Sequence, residues 1–107
     1  MRLHVAERLF ADRGFHAVTL RQIAEAAGIA LYGGTMLEGS IGTLASAHAF
    51  LTLRQLTWGT ELFGPLLLTE EIVNEPPQYR DFQLHIPYTQ GLGLTLDEQR
   101  LARFARR

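Results

Sequence analysis

The sequence predicts a small single domain of the α+β class, mostly helical, and three observations carry that expectation. Apolar residues recur at helical spacing in four stretches: two near the N-terminus, one from Ser40 and one at the C-terminus. Between them the apolar run Ile29 to Tyr32 ends in Gly33-Gly34, just before a helical pattern begins, which is the grammar of strand, tight turn and helix. Further on, Phe82, Leu84 and Ile86 alternate with Gln83 and His85 after a Pro76-Pro77 break, the period of a half-buried strand. At 107 residues and 47% apolar content the chain is long enough for one small core and too apolar for a disordered tail.

Taken in order, Leu3, Ala6, Leu9 and Phe10 share one helical face, with Arg2, Glu7, Arg8 and Asp12 elsewhere, and Gly14 ends that helix. Thr19 is placed to cap a second helix whose buried stripe is Leu20, Ile23, Ala24 and Ala27, and Gly28 ends it. Ile29 to Thr35 is expected to be non-helical, because Gly33 and Gly34 would cost a helix interior roughly 1 kcal/mol each. Ser40 is the expected cap of a third helix, with Ile41, Leu44, Ala45, His48 and Leu51 as its face. His48 on such a stripe reads as a packed, hydrogen-bonded residue before it reads as a ligand. Trp58 and Phe63 are expected in the core, and Gly64-Pro65 to interrupt any helix. Glu70 and Glu71 are adjacent and would face opposite sides of a strand, so they read as solvated surface, not as an acid pair. Ile72-Val73 is the candidate hairpin partner of the strand at 82–86, with His85 on its polar face. Gly91 to Leu94 makes a turn, and Asp97 caps a last helix from Glu98 to Arg106, with Leu96 and Leu101 at staple spacing. Arg103, Arg106 and Arg107 gather at its C-terminal end, where the helix dipole favours cations.

Composition excludes several functions. Net charge is −1, so no strong field for nucleic acid or an anionic membrane follows. There is no cysteine, hence no disulfide framework and no thiolate metal site. The opening MRLHVAERLF lacks a signal-peptide pattern, and no apolar run is long enough to span a bilayer; the expectation is a soluble cytoplasmic protein. All ten basic residues are arginine, so a reaction that needs a lysine to move a proton cannot run on this chain alone.

Two resemblances attach to particular residues. The stretch Leu31 to Ser46, LYGGTMLEGSIGTLAS, resembles the eighth strand and eighth helix of the muconate cycloisomerase family within the enolase superfamily. The resemblance runs from about Gln22 to Arg107 and takes in the tail GLGLTLDEQRLARF, where Gln90 stands in place of the proline common in the family. The opening AERLFADRGFHAVTLRQIAEAAG resembles the first two helices of tetracycline-repressor-type regulators, through Phe10 to Phe15, Thr19 and Ile23-Ala24. The expected division is therefore 1–28, a two-helix segment, and 29–107, a segment resembling the C-terminal part of the cycloisomerase: the last strand, helix and tail of a TIM-type barrel, not a complete barrel.

The first resemblance implies a capped barrel that lactonises cis,cis-muconate with a manganese or magnesium ion, its metal carboxylates and lysines lying on strands this chain lacks. No cofactor or metal ligand is expected in this chain. Glu38 is the one catalytic residue that carries over, and its implied role is to support the substrate as charge develops. Spacing alone leaves Glu38 equally a helix-start acid favoured by the dipole. The expected function is thus an incomplete isomerase segment, inactive alone. The competing classes are a DNA-binding module and a self-associating fragment with exposed apolar surface. Against DNA binding, Ile29 to Leu37 offers no basic or amide side chain to read base edges.

Overall fold

In the computed structural model, which describes residues 3–54 and 56–106, four α-helices and one two-stranded sheet make up most of the regular structure. The chain divides into two compact units instead of the one expected: 1–32 with 54–59, and 33–53 with 60–107. No closed barrel forms among the described residues.

The first unit is built from α1 (Leu3–Arg13) and α2 (Leu20–Ala27), joined through a short 3-10 turn, Phe15–Ala17. Gly14 takes φ 80 and donates its N–H to the Phe10 carbonyl, ending α1 where a side chain with a Cβ would be strained. The Phe10 and Phe15 rings then meet at 4.9 Å between centroids. Arg2, and the side chain of Leu3, lie outside the described residues. Thr19 and Gln22 form a reciprocal capping box: the Gln22 N–H donates to Oγ1 of Thr19, and the Thr19 N–H donates to Oε1 of Gln22. Gly28 closes α2 in the left-handed region, as expected. One member of the expected stripe departs: Ala24 is buried, whereas Leu20, at the first position of α2, is exposed. Residues 29–39 contain no helix, so none directly follows α2 where a repressor-type module would place its third.

The second unit carries α3 (Ser40–Phe50), a 3-10 turn (Gly64–Leu67), strands β1 (Gln78–Arg80) and β2 (Gln83–His85), and α4 (Glu98–Phe104). Its core is small: Leu44 and Ala47 of α3, Leu62 and Val73. The buried face of α3 is Ser40, Thr43, Leu44 and Ala47, one residue out of phase with the face expected from its pattern. Ile41 and Leu51 point outward, Leu51 with 71% of its surface exposed. The reason is that α3 is apolar or small nearly all round, so its sequence does not single out one stripe.

The run Ile29 to Tyr32 is non-helical but forms no regular strand; among the described residues a parallel bridge joins Gly33 and Thr60, with the Glu61 N–H donating to the Gly33 carbonyl at 2.9 Å. Gly33 is there for room, not for turn geometry: a Cβ would sit 2.6 Å from a Phe50 ring carbon. The hairpin also departs from expectation. β2 pairs antiparallel with β1, Tyr79 opposite Leu84, and not with Ile72-Val73. Asp81 and Phe82 both take positive φ, as a type I′ turn requires, and Phe82 is a fully exposed turn residue. Asp-Phe lacks the glycine that normally announces such a turn, so the sequence hides it. Val73 instead bridges Leu96, and the Asp97 N–H donates to the Ile72 carbonyl, tying the tail to the centre of the unit. Asp97 caps α4 as expected, accepting from the Arg100 N–H at 3.0 Å. Arg107 of the expected basic cluster lies outside the described residues, and Arg103 pairs with Glu70. Trp58, expected in the core, is 74% exposed, and Phe63 is at the surface. Gly64-Pro65 begins the 3-10 turn instead of only interrupting a helix, and both residues are buried.

The backbone at Gly64 runs directly against the backbone of Leu37 and Glu38, and a Cβ there would collide with the Glu38 carbonyl. At Gly34 the same test meets only the Glu61 carboxylate at 3.5 Å, an ordinary contact. Gly64→Ala is therefore expected to destabilise the unit by about 1–3 kcal/mol, and Gly34→Ala by much less. Urea denaturation of the two variants checks the ranking.

Candidate functional site

Glu38 sits two residues before α3, in a loop shaped by its own neighbours. The Thr35 hydroxyl donates to Oε2 of Glu38 at 2.6 Å, and the Met36 N–H donates to the same oxygen at 2.9 Å. The Leu37 N–H turns back to Oγ1 of Thr35 at 3.0 Å. Leu37 itself has φ 66, a left-handed conformation that costs a leucine roughly 1–2 kcal/mol. The ring of bonds around the carboxylate holds that conformation in place and presents half-buried Glu38. Both of these hydrogen bonds fall on Oε2.

These bonds hold the Glu38 carboxyl below the ordinary carboxylate range. The Thr35 hydroxyl contributes most, then the backbone N–H of Glu38 and that of Met36, with burial opposing them. Since the folded value lies below the unfolded one, Glu38 contributes stability above the ordinary carboxylate range. That contribution is lost as pH falls through the folded value.

The loop is anchored from the far side of the unit. Ser40, the expected cap, is the first residue of α3; Gly39 holds the cap position and supplies no side chain. The missing cap comes from Glu71, whose Oε1 accepts from the Ser40 N–H at 2.8 Å and from the Ser40 hydroxyl at 2.7 Å. A carboxylate at this position also meets the positive end of the helix dipole. Glu71 is in turn fixed by α4: Arg100 donates to the backbone carbonyls of Glu71 and Val73, both at 3.3 Å. The Thr43 hydroxyl donates to the Glu38 carbonyl at 3.1 Å. Gly42 leaves space for the Glu38 side chain over the first turn of α3, where a Cβ would lie 2.8 Å from Cβ of Glu38.

Glu38 thus stands where a loop enters a helix, on a backbone held by Gly64, Glu71 and Thr43. The family model described as enolase C-terminal domain-like matches residues 13–100. This chain belongs to that family. It is 98% identical over 86 residues to muconate cycloisomerase 1 of Pseudomonas putida, an alignment covering 80% of this chain and 23% of the relative. It is 58% identical over 92 residues to muconate cycloisomerase 1-1 of Acinetobacter lwoffii, covering 86% and 24%. Among solved structures it is similar to the muconate lactonizing enzyme from Pseudomonas putida, with TM-score 0.76 and 96% identity over 79% of this chain and 24% of that one. It is also similar to the Pseudomonas fluorescens enzyme solved with muconolactone, with TM-score 0.75 and 76% identity over 78% and 23%. The chain spans about a quarter of the length of these relatives.

Glu38 does not come together with Glu70, His48 or His85 in any group that could hold a metal; among the described residues no three His, Cys, Asp or Glu do so. Glu70 forms an exposed ion pair with Arg103 at 2.7 Å. His85 faces solvent, as expected. His48 is half-buried with Nε2 buried and without a partner among the described residues, so the hydrogen-bonded environment expected for it is not formed. Glu71 and Arg100 were not legible as site residues. The signal that could have found Glu71 is glycine at the cap of α3, which demands an acceptor from elsewhere in the chain.

Glu71→Ala strands both donors of a fully buried Ser40 and is expected to cost about 1–3 kcal/mol. Its neighbour Glu70→Ala should stay within about 0.5 kcal/mol. Equilibrium denaturation of both variants separates the anchoring carboxylate from the surface one.

Proposed function

We propose that this chain is a segment of a muconate-lactonising enzyme of the enolase superfamily, that Glu38 is its contribution to the substrate end of the barrel, and that it does not turn over alone. The observation that carries this reading is near-identity to muconate cycloisomerase over four-fifths of the chain combined with coverage of only 23% of that enzyme. In this reading the Glu38 carboxylate accepts a hydrogen bond from the substrate or supports it electrostatically as charge shifts during ring closure. The Thr35 and Met36 donors keep the group an acceptor by holding it ionised.

A lysine moves the proton in the mechanism the family implies, and this chain has none. The divalent ion that the family implies finds no fitting residues here, since no described group of carboxylates or histidines gathers to hold one. The residues that carry out both tasks belong to the part of such an enzyme that this chain does not contain.

The regulator-like opening supports no second reading. α1 and α2 form, and residues 29–39 after them contain no helix. No described helix is long and apolar enough to cross a membrane.

The test is an assay of purified chain with cis,cis-muconate and manganese, read by loss of substrate absorbance. The expected result is no rate above the protein-free control. A measurable rate that disappears in Glu38→Gln would contradict the proposal, because it would place complete chemistry on this chain.

A further inference from the structure

Leu62 is buried, and so are Gly64 and Pro65 just after it, where a 3-10 turn packs against α3. A carbonyl in such a segment needs a hydrogen-bond partner. The Leu62 carbonyl finds one in β1, where the Tyr79 hydroxyl donates to it at 2.6 Å. Tyr79 is the half-buried middle residue of β1, between exposed Gln78 and Arg80. Leu84 lies opposite it in the register, and both residues line a cavity of about 330 Å³ together with Leu62, Phe63 and Leu66. Hairpin and segment are thus not packed solid against each other. A directional bond, not close packing, fixes their spacing.

The segment matters because of what it touches at either end. At one end the Glu61 N–H donates to the Gly33 carbonyl. At the other the Gly64 backbone runs against the backbone of Leu37 and Glu38. Leu37 is held at φ 66, a strained conformation that persists only where its surroundings enforce it. Thr35 and Met36 grip the Glu38 carboxylate from within the loop, and Gly64 backs the loop from outside. We propose that Tyr79 is a positioning residue for Glu38: its hydroxyl holds the Leu62 carbonyl and so keeps Gly64 seated against the Glu38 loop. Without the hydroxyl the segment moves away, Leu37 relaxes, and the Met36 N–H leaves the carboxylate. The consequence for catalysis rests on the role proposed above for Glu38; the mechanical link does not.

The experiment compares the full chain with Tyr79→Phe and with Tyr88→Phe, a control that removes the hydroxyl of a fully exposed tyrosine. A phenol is neutral over the range in which a carboxylate titrates, so any effect on Glu38 reports geometry and not charge. Amide exchange at Glu61 is expected to speed about tenfold in Tyr79→Phe, as for the loss of one hydrogen bond. The amide of buried Ala47 in α3 should exchange as before. A carbon-13 NMR titration should show the Glu38 midpoint moving upward, because the bonds that hold it low are loosened. Tyr88→Phe should match the unsubstituted chain in both measurements. A Glu38 midpoint that stays in place in Tyr79→Phe overturns the proposal. So does equal acceleration at Glu61 and Ala47, because the hydroxyl would then add only to overall stability. A Tyr79→Phe chain that fails to fold overturns it for the same reason. No substrate enters these measurements, so muconate turnover tests the role of Glu38 separately from this link.

Discussion

The capping of α3 from a distance is the interaction on which the second unit depends. A helix beginning Gly39-Ser40 has N–H donors without an intrahelical partner and no side chain at its cap, and the Glu71 carboxylate supplies an acceptor from 31 residues away. That single contact draws the segment around residues 70–73 against the start of α3. Arg100 then binds the carbonyls of Glu71 and Val73, and the Val73–Leu96 bridge brings the tail alongside. Tyr79 adds a further tie, its hydroxyl donating to the Leu62 carbonyl at 2.6 Å. Burial, with the Glu71 charge as a lesser cause, raises the pKa of that phenol and keeps it a donor. With a core of so few side chains, polar ties of this kind set the geometry that packing alone would leave loose.

The same arrangement explains why Glu38 is presented with so little freedom. The backbone before it is in a left-handed conformation at Leu37, and the backbone at Gly64 presses against Glu38 from the other side. Local strain at a position held by a ring of hydrogen bonds is a pattern found at functional sites. In this chain the loop takes that form through its own hydrogen bonds.

Much of the fold was legible where structure is decided locally. Thr19, Gly14, Gly28 and Asp97 each act within one helical turn of themselves, and each does what its residue type predicts. The non-helical path of residues 29–35 followed from the propensity of Gly33 and Gly34. Features that depend on partners distant in sequence were less legible. The face of α3 is chosen by what packs on it, because its own residues are apolar nearly all round. The partner of β2 is set by a turn at Asp81-Phe82 whose residue types do not announce it. Trp58 is exposed although aromatic residues are usually core, and nothing within its unit accounts for that position. In the site, the loop around Glu38 could be anticipated from its place before a helix. Its anchor Glu71 is announced only by the glycine at the cap of α3, which demands a distant acceptor without saying which of two adjacent acids supplies it.

The account stands on Glu38 being held ionised by its own loop in the isolated chain. A carbon-13 NMR titration of the Glu38 carboxyl tests this most directly, in the unsubstituted chain and in Thr35→Val. The account predicts a midpoint below the ordinary carboxylate range of about 4.3 in the unsubstituted chain, moving upward when the Thr35 hydroxyl is removed. A midpoint at the ordinary value in both proteins would contradict it, because the hydrogen-bonded loop that presents Glu38 would then not exist in solution.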